Sequence, residues 1–225
     1  RYITVDEKPL FLIWDPYHFQ EITLFMDLWR KWAKENGLKG VHFVAMGHST
    51  STVKRMPDGS IKRGLPNLES SASVYDDFLN LGFDGVCSFG RPRAEMIYTG
   101  MYKRLSQIFL RKIFPQLNTL RFDYPKVMKH CFAPEDSWEN VYPNIMPQWD
   151  RSPRAGNMDG VFINATPDNF KKHILQALEV IKDKKPEHKI LFLRSWNEWG
   201  EGNYVEPDEL YGHGFLDAIH DTICE

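Results

Sequence analysis

Only three cysteines, Cys87, Cys131 and Cys224, occur in 225 residues. Their number is odd and no CxxC or Cys/His spacing joins them, so neither a disulfide framework nor a zinc site is indicated. Charge of one sign is equally scarce. Lysine and arginine number 28 against 30 aspartates and glutamates, a formal net charge of −2. That balance removes the electrostatic motive for a nucleic-acid partner, because phosphate-backbone binding needs clustered cations. No apolar run approaches the roughly 18 residues of a membrane span, so no integral membrane segment is expected. Arg1-Tyr2-Ile3-Thr4-Val5 is not built like a signal peptide. A cytoplasmic setting is the expectation, and secretion or a periplasmic location stays open because the chain does not begin with Met. No GxGxxG or phosphate-loop pattern is present, and no cofactor is expected.

What the chain does have is apolar and aromatic content: 42% hydrophobic residues, 14% aromatic and seven tryptophans. The first figure supports a substantial core, read here as one domain over residues 1–225. Flat rings fill cores, and they also offer faces on which the C–H groups of a sugar can pack.

Leu10-Phe11-Leu12-Ile13-Trp14 is a short continuous apolar run ending at Asp15-Pro16, which reads as a buried parallel strand. From Glu21 to Asn36 a helical face carries Phe25, Leu28, Trp29, Trp32 and Ala33, read as core, and Gly37 stops it. Gly40–Met46 gives a second strand running into the polar loop that holds His48. Gly85–Phe89 gives a third, running into Gly90-Arg91-Pro92-Arg93, with a helix expected after it through Ile97, Met101, Leu105 and Ile108. Between the second and third strands, Ser49 to Ser73 is rich in Ser, Gly, Pro and charge and reads as a long loop or flap. Asp123-Tyr124-Pro125 opens a short helix, and Tyr142 to Trp149 forms a strand made irregular by Pro143 and Pro147. Thr166-Pro167 caps a helix with the stripe Phe170, Ile174, Ala177, Leu178 and Ile181. A fifth strand, Lys189–Leu193, leads into Ser195-Trp196-Asn197-Glu198, and Phe215, Ala218, Ile219 and Ile223 mark a closing helix. Five strands alternating with helices imply an α/β fold with a parallel sheet, and the polar and aromatic clusters all follow strand C-termini, where such folds keep their sites.

Glu198 and Glu201 stand three residues apart after the last strand. Glycosidic-bond chemistry commonly uses two carboxyl groups whose environments differ. In a regular strand the two would project to opposite faces, so cooperation requires a turn, which Gly200 and Gly202 make cheap. Trp196, Trp199 and Tyr204 flank the pair and could desolvate an acid or stack on a sugar. The plain alternative is two solvated loop glutamates. Around the pair, Asn197 is read as a donor to substrate or backbone, Glu206 as a binding or bracing group, and Trp149 as a stacking ring. Asp150 and Arg154 form an ion pair or touch substrate. Asp15, His48 and Arg91, each in a loop after a strand, complete the candidate binding residues. A metal pair of His42 and His48 is disfavoured, because His42 is interior to a strand and no third ligand stands out.

Trp196 to Pro207, WNEWGEGNYVEP, closely resembles the signature of the WbsX-like proteins, which are related to glycoside hydrolase family 99. The likeness extends through Arg1-Tyr2-Ile3, Val5-Asp6, Lys8–Ile13, Trp149-Asp150, Pro153-Arg154, Thr166-Pro167, Phe170, Tyr211-Gly212 and Phe215-Leu216, nearly the whole chain. It implies a (β/α)₈ barrel and retaining chemistry on α-mannoside-like linkages without metal. Glu198 would deprotonate the neighbouring 2-hydroxyl, and Glu201 would protonate the leaving oxygen. The partner implied is an oligosaccharide or polysaccharide. WbsX-like proteins are named as glycosyltransferases of bacterial surface-polysaccharide assembly, so transfer in lipopolysaccharide or O-antigen synthesis is the alternative, and a non-catalytic carbohydrate-binding relative is another. Two departures bear on sugar specificity: Trp14-Asp15 in place of Tyr-Arg, and Arg151-Ser152 in place of Asn-Thr. Family members carry three βα units upstream, so the five counted here are expected to be the C-terminal part of an N-terminally truncated barrel. Its open edges would favour self-association.

Overall fold

The structure, a computed structural model, describes residues 2–47, 51–55, 60–100, 106, 109–110, 113–114, 120–155 and 160–224. They form two compact units: Arg1–Phe89, Ala133–Pro143 and Ile181–Ile190 in the first, and Gly90–Phe132, Asn144–Val180 and Leu191–Glu225 in the second. The architecture is α/β in both.

In the first unit, β1 (Thr4–Val5) turns back antiparallel on β2 (Lys8–Ile13), which lies parallel to β3 (His42–Gly47). All six residues of β3 are buried, as expected for a strand covered on both faces. Helix α1 (Ile22–Glu35) turns Ile22, Met26 and Ala33 inward. This corrects the reading of Trp29 and Trp32 as core. The buried stripe is centred on Met26, so the two tryptophans lie at its exposed margin and line a cavity of about 580 Å³ with Tyr2, Phe11 and Leu38.

The stretch read as a long loop is also corrected, because it contains an antiparallel hairpin, β4 (Ser51–Arg55) with β5 (Ile61–Pro66), followed by helix α2 (Ala72–Asn80). Pro57-Asp58-Gly59 between the strands is a turn-forming sequence that should have signalled it. β6 (Gly85–Ser88) then joins β3 in parallel, and β8 (Val141–Tyr142) joins β6.

The second unit begins with helix α3 (Arg91–Thr99), ending at Gly100; the rest of the helix expected through Leu105 and Ile108 lies outside the described residues. β7 (Arg121–Asp123) pairs in parallel with β10 (Val161–Ile163), and β9 (Asn144–Ile145) with β11 (Phe192–Leu193). The irregular strand read from Tyr142 is interrupted at Pro143, which has no N–H to give to a ladder, and so becomes β8 and β9. β7 and β10 go beyond the five strands read from the sequence. Three residues each are too short to show a period.

The helix Pro167–Ile181 starts as expected, with the Asn169 N–H donating to Thr166 Oγ1 at 3.3 Å. It buries Phe170, Ile174 and Ala177 against Ile145, Val205, and Phe215 and Ala218 of the helix Gly214–Ile223. Each fully buried ring of this kind contributes on the order of 2 kcal/mol. A second core gathers Ala94, Phe122, Tyr124, Met146, Trp149 and Phe162. Among the described residues, no helix is long and apolar enough to cross a membrane.

Candidate functional site

After β11 the chain makes a tight antiparallel hairpin. β12 (Asn197–Glu198) leads into a 3₁₀ turn, Trp199–Glu201, and β13 (Asn203–Tyr204) returns with Asn197 opposite Tyr204 and Glu198 opposite Asn203. The chain therefore does turn between the two glutamates, and Gly202 is the residue that permits it. Its φ of 51° is left-handed, and a Cβ there would stand 2.8 Å from the Asp150 carbonyl oxygen. The Asp150 N–H donates to the Glu201 carbonyl at 2.9 Å, which ties the turn to the segment after β9. Ser195 closes the base of the hairpin. Its Oγ donates to the Asn203 carbonyl at 2.6 Å and accepts from the Glu198 N–H at 3.1 Å, while its own N–H donates to Asn203 Oδ1.

The two carboxylates meet on one guanidinium. Arg154 Nη1 lies 3.8 Å from Glu198 Oε1 and 3.6 Å from Glu201 Oε1. Glu201 also faces Arg151 Nε at 3.2 Å and Arg194 Nη2 at 4.0 Å. Their exposures differ sharply, the Glu198 side chain being 46% exposed and that of Glu201 13%. One carboxylate stands in water and the other is walled by cations. The enclosure expected from aromatic rings is thus supplied at Glu201 largely by arginines.

The rings form a ledge beside the pair. Trp199 stacks on Tyr204 with centroids 3.6 Å apart and planes at 14°, and its indole N–H donates to Glu206 Oε2 at 2.7 Å. Glu206 therefore braces the ledge. Burial raises the Tyr204 phenol above its ordinary value, with the Asp208 carboxylate acting in the same sense. Trp196 and Asn197 are exposed on the same hairpin.

Other expected residues take different roles. Trp149 is 3% exposed, with the Arg91 guanidinium 3.8 Å above its ring and that of Arg194 at 5.6 Å. This corrects the reading of Trp149 as a sugar-stacking ring: its face is covered from within the protein. Arg91, also 3.5 Å from Glu95, is held in that stack rather than in a loop. The Asp150 carboxylate accepts from Ser152 N–H and Oγ at 2.9 and 2.5 Å, which caps the single turn Ser152–Ala155. No Asp150–Arg154 pair forms among the described residues, since Ser152 takes the carboxylate and Arg154 turns to the glutamates. Asp15 belongs to the other unit, where it pairs with His18 at 2.7 Å. His48 lies outside the described residues. His42 is buried against Tyr142, and no group of three or more His, Cys, Asp or Glu placed to hold a metal occurs among the described residues.

Sequence reasoning missed Arg194, Ser195 and Asn203, and treated Arg151 only as a departure. Arg151 reaches Glu201 from a distant segment, whereas Arg194, Ser195 and Asn203 act on near neighbours and depend on the pairing of the hairpin for their geometry.

The profile of the family described as "Glycosyltransferase WbsX" matches residues 1–219. Among curated proteins, the chain is similar to "Uncharacterized protein WxcX" of Xanthomonas campestris pv. campestris strain B100, with 22% identity over 224 residues. The protein of the same name from strain ATCC 33913 is 23% identical over 227 residues. Each match covers 99% of this chain and 28% of the relative, so the chain spans under a third of their length. Among solved structures, a "Glycoside hydrolase-like protein" is similar with a TM-score of 0.57 and 14% identity, over 98% of this chain and 55% of that one. This is a likeness of fold. The GH99 endo-alpha-mannosidase from Bacteriodes thetaiotaomicron, in complex with BIS-TRIS-Propane, is similar with a TM-score of 0.47 and 15% identity, over 98% of this chain and 57% of that one.

Proposed function

Because the chain belongs to the WbsX glycosyltransferase family, we propose that it acts on carbohydrate, making or breaking a bond at the anomeric carbon of an α-linked, mannoside-like sugar with Glu198 and Glu201. The observation that carries this reading is the meeting of both carboxylates on Arg154 beside the exposed Trp199–Tyr204 ledge. A sugar laid on that ledge would present its ring C–H groups to the aromatic faces and its anomeric centre to the pair. The two groups must do unlike work, and their surroundings are unlike. In the division implied by the family resemblance, Glu198 takes the proton of the neighbouring 2-hydroxyl, while Glu201 gives one to the leaving oxygen and later activates the attacking water or hydroxyl. The (β/α)₈ barrel implied by the family resemblance is an architecture in which loops after strand C-termini carry the site. The fold likeness to the glycoside hydrolase-like protein supports this.

Replacing Glu198 or Glu201 by Gln keeps size and removes the ionisable group. Each variant should lose turnover by about 10²-fold or more, the scale of general acid–base catalysis, with an unchanged melting temperature. Full turnover in both variants would reject the assignment. Sugar binding without turnover in the full-length protein would select a carbohydrate-binding role instead.

A further inference from the structure

We propose that Ser195 is a positioning residue whose hydroxyl sets where the Glu198 carboxylate stands relative to Glu201 and the sugar, an inference that rests on the carboxylate-pair reading above. The two glutamates share a hairpin but are anchored differently. Glu201 is held from outside it: its carbonyl accepts the Asp150 N–H at 2.9 Å, and its side chain, 13% exposed, lies 3.2 Å from Arg151 Nε. Glu198 stands in a strand of two residues, its side chain is 46% exposed, and the Arg154 guanidinium that approaches it is 3.8 Å away, beyond hydrogen-bond length. Its main chain is therefore what aims the carboxylate. That main chain donates its N–H to Ser195 Oγ at 3.1 Å.

Ser195 is itself locked to the returning strand. Its Oγ donates to the Asn203 carbonyl at 2.6 Å and its N–H to Asn203 Oδ1 at 3.0 Å, and Asn203 is fully buried. Asn203 is also the residue paired across the ladder with Glu198. One hydroxyl thus ties the glutamate to its own cross-strand partner. With its proton committed to the carbonyl, the oxygen turns a lone pair to the Glu198 N–H, so each bond orients the other. Alanine would break both and leave the Glu198 N–H to water. The fold tolerates that loss, but a general base must lie within hydrogen-bond reach of the proton it takes, and a displacement of about 1 Å costs on the order of 10²-fold in rate. The aromatic ledge has its own supports, Gln148 Nε2 donating to the Tyr204 carbonyl at 3.2 Å and Glu206 accepting from Trp199. The loss therefore falls on chemistry rather than on binding.

In the step concerned, the sugar's 2-hydroxyl gives its proton to Glu198 as its oxygen bonds to C1. The bond from C1 to the leaving group breaks with its electron pair going to the leaving oxygen, which Glu201 protonates. A weakly basic aryl leaving group needs little help from Glu201 and still needs Glu198.

The test compares wild type and Ser195→Ala, in the full-length protein, on phenyl α-mannoside and 2,4-dinitrophenyl α-mannoside. On both substrates kcat should fall by a similar factor of about tenfold or more, with KM within about twofold of wild type and the melting temperature near it. Ser195→Thr, which keeps the hydroxyl, should recover most of the rate. A hairpin that had merely loosened would misplace Glu201 as well, and its loss would shrink on the dinitrophenyl substrate as that of Glu201→Gln does. The Glu198 amide reads the clamp without substrate: its hydrogen exchange should quicken in Ser195→Ala. Unchanged exchange, a change in KM alone, or a loss of kcat that shrinks with the better leaving group overturns the proposal. If Ser195→Ala keeps the wild-type kcat while Glu198→Gln loses turnover, the carboxylate reading stands and this inference falls. Full turnover in both glutamate variants removes that reading and the inference with it.

Discussion

In the first unit, His42, Tyr142 and His188 form a chain closed to solvent, the Tyr142 hydroxyl lying 2.9 Å from His42 Nε2 and 3.2 Å from His188 Nδ1, whereas in the second unit two glutamates and three arginines gather where water reaches them. Burial holds the His42 imidazole down at about 4, partly opposed by the Asp84 carboxylate, and pushes the Tyr142 phenol up. Burial also lowers Lys184, whose ammonium donates to the Val141 carbonyl, to about 8. Low dielectric penalises the charged forms of His42 and Tyr142, so this pair works as neutral hydrogen-bonding matter, while Lys184 remains an ammonium whose charge burial makes costly. Displaced titration is often a guide to active sites, but in this protein it also marks a buried brace. The open cluster is recognised by opposed charges kept at the surface beside an aromatic ledge.

The two clusters should therefore fail differently, stability suffering at the first and turnover at the second. The largest effect is expected where that separation breaks down. Gly202→Ala would force an L-residue into the left-handed region and drive its Cβ into the Asp150 backbone at 2.8–2.9 Å. The combined cost is about 2–4 kcal/mol. Because Glu201 and Asp150 are joined through this turn, turnover should fall with it. A urea midpoint and a rate measured on the same preparation check both, and a variant that keeps wild-type values for each would show that the turn is not what holds the pair.

Acid should act next, and chiefly through the interior. The unfolded His42 imidazole takes up a proton as pH falls through about 6.5, while the folded one resists until about 4. Stability is thus at its full value above 6.5 and declines as pH drops across that window, by roughly 2 kcal/mol once solvent screening is allowed for. His173, in the second unit, is also held at about 4 by burial and adds to the same decline. Urea midpoints between pH 7 and 4 should fall for the wild type and trace a flatter line for His42→Leu. Parallel lines would remove His42 from the account.

Tyr142→Phe sharpens the comparison from within the brace. Without the hydroxyl, two buried imidazoles lose a common partner, a loss of about 1–3 kcal/mol. The denaturation midpoint should drop while the Michaelis parameters stay at wild-type values. A change in kcat of the same size as that of a glutamate variant would contradict the separation of brace from site.

The sequence made some of this legible for physical reasons that particular residues show. β3 and β6 are near-continuous apolar runs, and Thr166-Pro167 announces its helix. β7 and β10 are three residues each and carry no period to read. At the site, the need for a turn between Glu198 and Glu201 follows from strand alternation alone, and Gly202 meets it. The arginine surround does not follow, because Arg151 and Arg154 reach Glu201 from a segment about fifty residues earlier; their distances to it are 3.2 and 3.6 Å. The sequence lets Asp150 and Arg154 either pair or touch substrate, and the capping of that carboxylate by Ser152 shows why the pair does not form. Trp149 shows the same limit, since a strand-end tryptophan can face substrate or core, and the Arg91 guanidinium above it decides for the core.

The smallest effect tests the ledge. Glu206 accepts the Trp199 indole N–H at 2.7 Å and so fixes the stack on Tyr204. Glu206→Ala leaves the ring where it is partly solvated, at a cost under about 1 kcal/mol to the fold. The substrate must then order Trp199 on binding, an entropy of about 0.5–1.5 kcal/mol for an immobilised side chain. KM should therefore rise a few-fold while kcat holds, and Glu206→Gln, which keeps an acceptor oxygen, should recover most of the loss. A fall in kcat with KM unchanged would move Glu206 from bracing the ledge to taking part in the chemistry, and the open cluster would then contain three working carboxylates rather than two.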